Sequence, residues 1–420
     1  MTPAARLQAT IEILGALEHT NAPADRFIRE WFRARRYAGA KDRAAVIERV
    51  FAILRHRAFL AWRMQSTAPR ALVLASVLAE TSDIAEIEKV FSGVGYGPSA
   101  LSEDERARLR DAPNELPSLA VQGGFPVWLE AELKRSLGDR LLDEMRAMGE
   151  RAPIDLRVNT LKAARDDVLG ELREGGIAAE HTTYAPHGIR IFAGEKLAQL
   201  SRSAGFMAGR FEFQDEAGQI ATLLAAAEPG QRVLDLAAGA GGKALALCAI
   251  MENRGEIVAC DVDARRLQRL EPRAERAGAS IIRCELVRAE PPSGPFEIVF
   301  VDAPCSGSGI WRRQPELKWR LTAERLAELT AAQDGLLDQA AQRADRRIVY
   351  ATCSVLTCEN EERVEAFLAR HQEFAVRPAA EIWAAIGAAP MPGMGTVFRA
   401  SPLSTGTDGF FAAVLERTLL

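Results

Sequence analysis

The six cysteines of this 420-residue chain form no C-x-x-C pair and have no histidine close by, which excludes a disulfide framework and a zinc site. A reducing, cytoplasmic setting without a structural metal is expected. No apolar run reaches the eighteen or so residues that span a bilayer, so no membrane segment is expected. The N-terminal MTPAARLQATIEILGAL lacks a basic stretch followed by an apolar block and does not read as a signal peptide. Net charge is also scarce, at −4, and by itself gives no hint of a nucleic-acid partner. Apolar material is plentiful at 48%, enough for a sizeable core, and at about 150 residues per domain the length suggests two or three domains.

The charge is unevenly spread. Residues 1–70 carry 13 Lys/Arg against 6 Asp/Glu, whereas residues 71–150 carry 8 against 15. A basic N-terminal segment is either a phosphate-binding face or a solvated Arg-rich helical surface. Residues 1–150 read as all-helical: from Lys41 to Met64, Val46, Ile47, Val50, Phe51 and Leu54 recur at helical spacing between Arg43, Glu48, Arg49 and Arg55. Breakers at Pro113–Pro126 read as a linker between units. After Pro153, β-like runs at Ile154–Val158 and Gly188–Phe192 surround a helical run, Ala163–Glu174, which predicts a small α/β subdomain over residues 151–210. From Phe211 onward, strand-like runs (Arg232–Leu236, Ile257–Asp261, Ser280–Cys284, Glu297–Val301, Arg347–Ala351) alternate with helical patterns. Such alternation predicts a parallel sheet covered by helices, with ligands outside the carboxyl ends of its strands.

The unusual residues fall at those ends. The first strand runs into DLAAGAGGK, Asp235–Lys243, where Ala237, Ala238, Gly239, Ala240, Gly241 and Gly242 form a turn able to approach a ligand closely. Asp261 ends the next strand 22 residues beyond Gly239, a spacing that suits a carboxylate on both ribose hydroxyls of a nucleoside. The pattern is neither a P-loop nor a dinucleotide fingerprint. An adenosine cofactor without a pyrophosphate, such as S-adenosylmethionine, fits it better. Glu285 ends the third strand and is either a ligand to the adenine or ribose or a solvated strand end.

The fourth strand runs into DAPCSGSG, Asp302–Gly309, and the fifth into YATCS, Tyr350–Ser354. Cys305 and Cys353 therefore sit just beyond two parallel strands, near the cofactor's edge. Cys248, Cys260 and Cys284 lie inside helix or strand patterns and read as small buried hydrophobes.

DLAAGAGGK, DVD at 261–263, DAPCSGSG, RRQPELKW at 312–319 and YATCS together resemble the RsmB/Nop2/Sun family of RNA cytosine-5 methyltransferases. RVNTLK at 157–162, FQDEAGQ at 213–219 and TDGFFAAVL at 407–415 resemble further segments of that family in the same order. The stretch KDRAAVIERVFAILR at 41–55 is similar to the NusB-like RNA-binding domain of bacterial members. In the first motif, Ala237, Gly239, Ala240 and Ala244 stand where the family usually has Cys, Ala, Pro and Thr, and Cys284-Glu285 replaces a usual Gly-Asp.

The resemblance implies a helical NusB-like RNA-binding domain over 1–140 and a small RNA-binding subdomain over 151–210. It places a Rossmann-like methyltransferase domain over 211–420. It further implies that Cys353 bonds C6 of the target cytosine while Cys305 assists proton removal and release. Asp302 would hold the base's N3/N4 edge and Lys243 would stabilise negative charge. Arg157 and Asn159 match a family segment and are expected to touch RNA. The expected substrate is small-subunit ribosomal RNA acted on by a monomer, with tRNA the next choice. A catalytically quiet RNA-binding assembly factor is the reading from another class.

Overall fold

Apolar residues at helical spacing bury one face of each N-terminal helix. The computed structural model describes residues 1–35, 37–192, 197–387 and 389–418, and divides them into two compact units. The first comprises Met1–Gly149 and Trp311–Arg320. Its main helices are Pro3–Leu17, Ala24–Arg33, Ala40–Met64 and Pro69–Thr81. Val46, Val50 and Leu54 of the long helix are buried with Ile13, Ile28, Val73 and Leu74, while Ile47 and Phe51 pack against their edge. Each such side chain contributes about 1.5–3 kcal/mol on burial.

Two sequence expectations change here. The Pro- and Gly-rich stretch 113–126 is no linker: it contains the helix Leu119–Gly123, stopped by Gly124 in the left-handed conformation, with Ala120 and Phe125 buried. The helical unit therefore runs to Gly149 rather than ending at 140. The second change concerns RRQPELKW. Its segment leaves the catalytic unit after Ile310 and belongs to the helical one. There Glu316 accepts the Ala24 N–H at 2.8 Å, and the Trp319 indole donates to the Leu54 carbonyl at 2.8 Å. Lys318 is buried between the rings of Trp311 and Trp319, and burial pushes its ammonium down to about 7.

The second unit holds two sheets. The smaller comprises β1 (Ile154–Val158), β2 (Ala179–His181), β3 (Gly188–Ile191) and β4 (Phe211–Phe213), all antiparallel in the order β2-β3-β1-β4. The helix Arg165–Glu174 packs Val168, Leu169 and Leu172 into its core. A buried ionic cluster joins β1 and β3 to the following helix, Glu216–Leu223. Arg190 donates to both oxygens of Asp155, at 2.8 and 2.9 Å, and to Glu216 at 3.1 Å. Both carboxylates are wholly inaccessible to solvent. Arg190→Met would strand two buried anions, so it is expected to cost about 3–5 kcal/mol in chemical denaturation. A loss below 1 kcal/mol would show that the cluster relaxes or protonates without penalty.

The larger sheet contains β5 (Arg232–Asp235), β6 (Glu256–Asp261), β7 (Ile282–Leu286), β8 (Phe296–Asp302), β9 (Ala344–Thr352), β10 (Phe374–Arg377), β11 (Phe398–Ala400) and β12 (Phe410–Arg417). The order is β10-β12-β9-β8-β5-β6-β7, with β11 paired to β12. β5 through β9 are parallel, as expected from their Val/Ile runs. β10, β11 and β12 add antiparallel pairing that the sequence reading did not anticipate. Strand order reverses at β5, which lies between β6 and β8, so the ligand crevice belongs at its carboxyl end.

Candidate active site

The glycine-rich turn leaves β5 at that reversal. Gly239 and Gly241 both have positive φ, +57° and +80°. A Cβ on Gly241 would lie 2.0 Å from Leu270 Cδ1, so the turn excludes side chains there. No atom lies within 4 Å of a Cβ placed on Gly239 or Gly242, which leaves that side open for a ligand. Asp261 braces the turn: one carboxylate oxygen accepts the Gly239 N–H at 2.8 Å, the other the Asp263 N–H at 2.7 Å. Each oxygen retains a second lone pair for a ribose hydroxyl. Ala237 and Ala240 are half-buried in the same turn and Ala238 is buried. Glu285 lies beside Cys260 in the register of β7 on β6, and its hydrogen bond goes to Arg283 of its own strand.

Asp235, which begins the motif, was not singled out as a site residue from sequence. It is fully buried, with the Ala244 N–H acting on it from the backbone and no side chain bonded to either carboxylate oxygen. Burial, reinforced by Asp302 and opposed by Lys243, pushes its carboxyl up to about 8. The open glycine turn and Asp261 fit an adenosine cofactor such as S-adenosylmethionine. Asp261→Ala should weaken S-adenosylmethionine binding by about 1.5–3 kcal/mol, the usual range for hydrogen bonds to a charged group. Calorimetric affinity equal to wild type, with the fold intact, would place the ribose elsewhere.

Next to this turn the structure brings together Lys243, Asp302, Cys305 and Cys353. The Lys243 ammonium donates to Asp302 at 2.6 Å and lies 5.3 Å from the centre of the Phe410 ring. Burial works against its charge, but Asp302, Cys353 and Asp235 outweigh it and raise the ammonium above the usual lysine range. Adjacent strands β8 and β9 deliver the cysteines, whose sulfurs are 3.3 Å apart. The sulfur–sulfur hydrogen bond, burial and the neighbouring charges of Cys353 and Glu359 hold the Cys305 thiol well above its usual range.

Backbone contacts fix the two loops to each other. Ala303 N–H donates to the Ala351 carbonyl and Gly309 N–H to the Cys353 carbonyl, each at 2.9 Å. Gly309 also meets Gly409 so closely that a Cβ on it would lie 2.0 Å from the Gly409 carbonyl oxygen.

Cys248 and Cys260 are buried, and burial pushes their thiols up to about 11 and 12, the behaviour of small hydrophobes. Arg157 and Asn159 are both buried. Arg157 is buried and donates to Gln214 at 2.6 Å. Asn159 is buried too, and donates to the carbonyls of Gly209 and Ala277 at 2.9 and 2.8 Å. It ties the end of β1 to the helix Leu270–Ala277, so the amide of Asn159 holds the fold there, whereas Arg157 lines an open cavity. Among the described residues no group of three or more His, Cys, Asp or Glu could hold a metal. No helix there is long and apolar enough to cross a membrane.

Comparison with known proteins follows the same outline. A family model described as 16S rRNA methyltransferase RsmB/F matches residues 221–416, and one described as an RsmF/B-like ferredoxin-like domain matches residues 125–196. The chain is 31% identical over 406 residues to ribosomal RNA small subunit methyltransferase B of Xanthomonas campestris pv. campestris, covering 89% of each chain. It is 31% identical over 358 residues to 28S rRNA (cytosine-C(5))-methyltransferase of Mus musculus, covering 78% of this chain and 74% of that one. A third relative, ribosomal RNA small subunit methyltransferase B of Pseudomonas syringae pv. tomato, is 34% identical over 259 residues, and the match spans 56% of its length. The crystal structure of PH0851 superposes with a TM-score of 0.77 at 27% identity over 99% of both chains.

Proposed function

Because the chain belongs to the RsmB/F family of S-adenosylmethionine-dependent rRNA cytosine-5 methyltransferases, we propose that it methylates C5 of a cytosine in small-subunit ribosomal RNA through a covalent cysteine–C6 adduct. The observation that carries this reading is the pair of sulfurs 3.3 Å apart beside the Lys243–Asp302 ion pair. When bound, the cofactor supplies an electrophilic methyl group. C5 of cytosine is too weak a nucleophile to take it unaided, and residues of this chain would change that.

The Cys353 thiolate adds to C6, and the electron pair of the C5–C6 double bond becomes available at C5, as in an enamine. Asp302 accepts from the N4 amino group and, when protonated, donates to N3 as negative charge develops in the ring, while Lys243, 2.6 Å from its carboxyl, offsets the charge. After methyl transfer, Cys305, once deprotonated, takes the proton from C5; the C5–H electron pair reforms the C5–C6 double bond and Cys353 departs as thiolate. Cys305 serves this second half. Splitting one hard step into two easier ones is the advantage of the covalent route. Such a site requires the base to be extruded from its stack.

The basic face of the helical unit supports an RNA partner. Arg33 and Lys41 are exposed, as are Arg26 and Arg29, which pair with Glu30 and Asp25. The test is bisulfite sequencing of total RNA from cells with and without the gene. One small-subunit rRNA cytosine should lose protection in the deletion. A lost tRNA site instead would move the substrate. Unchanged RNA, together with no calorimetric binding of S-adenosylmethionine, would favour an assembly factor that retains only the fold.

A further inference from the structure

The residues that follow the two cysteines share one buried partner. Glu359 ends a short 3-10 turn, Thr357–Glu359, six residues beyond Cys353, and has no solvent exposure. One carboxylate oxygen accepts the Ser306 N–H at 2.7 Å and the Gln333 amide at 3.2 Å. The other accepts the hydroxyls of Ser306 and Ser354, each at 2.5 Å. Gln333 also donates to the Pro304 carbonyl at 2.9 Å. Residues on both sides of Cys305, and the residue after Cys353, are thus held by one side chain or its immediate neighbour.

We propose that Glu359 is the positioning residue of the two-cysteine centre, clamping the Cys305 loop and the Cys353 loop together so that their sulfurs meet. This rests on the two-cysteine reading above. Four hydrogen bonds satisfy the carboxylate, but among the described residues no cation pairs with it. A buried anion without a counter-ion is a costly way to hold two loops, since burying a charge without a partner costs several kcal/mol. A neutral amide would make a similar number of contacts, so the charge itself has a use. It lies on the Cys305 side and acts against ionisation of that thiol. Lys243 and its cation lie on the Cys353 side. Glu359 thus bears on the Cys305 thiol while holding the two loops close.

The full-length protein, free of RNA, is treated with iodoacetamide under native conditions, and alkylation at each cysteine is followed by peptide mass spectrometry. Iodoacetamide reads thiolate character and access. In wild type, Cys353 should react about tenfold faster than Cys305 or more. Glu359→Gln keeps the size and most hydrogen bonds but removes the charge. It should retain S-adenosylmethionine affinity and melting temperature while the Cys353:Cys305 ratio falls about tenfold, mainly because Cys305 gains. Its kcat for methylation should fall about 100-fold, with KM for RNA unchanged, the loss typical of a misplaced reacting group. A folded Glu359→Gln protein with the wild-type alkylation ratio and wild-type kcat overturns the proposal.

If Glu359→Gln does not fold, the double variant Ser306→Ala, Ser354→Ala removes the two hydroxyl contacts and leaves the carboxylate. Unchanged alkylation at both sulfurs in that variant overturns the clamp. Alkylation is read without RNA, so it is independent of the covalent mechanism. That mechanism fails separately if wild type forms no RNA adduct and both Cys→Ala variants still methylate.

Discussion

Cys305→Ala is expected to accumulate a protein–RNA adduct that survives denaturing electrophoresis, whereas Cys353→Ala should form none and lose methylation altogether. The two sulfurs, 3.3 Å apart at the ends of neighbouring strands, are equivalents by position. Their surroundings are not equivalent. The Lys243 charge bears on Cys353, while the sulfur–sulfur hydrogen bond, burial and the charges of Cys353 and Glu359 raise the Cys305 thiol above its usual range. A nucleophile must present a thiolate. A residue needed only to complete release can be removed without preventing bond formation, and the intermediate then lasts longer. The expected result in a time course with labelled RNA is an adduct approaching one per active site in Cys305→Ala, with methyl already transferred. An adduct in Cys353→Ala and none in Cys305→Ala would reverse the assignment. No adduct in either, with methylation persisting in both, would remove the covalent route.

Much of this site could be read from sequence because its residues lie where chain pattern and geometry coincide. Val/Ile runs ended by DLAAGAGGK, DAPCSGSG and YATCS announce strand ends, and strand ends in a parallel sheet converge. What escaped had no local signature. β12 is buried along Phe410–Leu415, so it shows neither alternation nor a polar face, and its antiparallel partners come from distant segments. The segment 311–320 follows the catalytic loop directly, yet it packs on helices some 250 residues earlier, which no local pattern encodes. Asn159 illustrates the opposite case: a polar residue at a strand end reads as a ligand contact, but its amide donates to the buried carbonyls of Gly209 and Ala277. Asp235 and Glu359 are buried acids, and nothing local in the sequence marks an acid as buried. Glu359 opens the run ENEE at 359–362, which looks like an ordinary acidic helix start, and only the fold turns it inward.

Lys243→Met is expected to slow methyl transfer by about 10³–10⁴-fold, combining the usual losses for an electrostatic donor and for a group that supports proton and charge movement. Methionine keeps the unbranched stem against Phe410, so packing changes little and the variant should fold. What disappears is the cation. Its raised titration keeps Lys243 charged at every pH below its elevated value, so in the native enzyme the charge is constant across neutral pH. Without it Asp302 loses its partner, and Asp235, already pushed up to about 8, loses the one nearby cation that favours its ionised form. The decisive measurement places Lys243→Met in the Cys305→Ala background, where the adduct accumulates and its rate of formation can be read alone. If Lys243 supports thiolate addition and the developing negative charge, adduct formation slows by the same large factor as methyl transfer. If it acted only during release, formation would proceed at the rate of the Cys305→Ala parent, and a rate within threefold of that parent would assign the lysine to the later step.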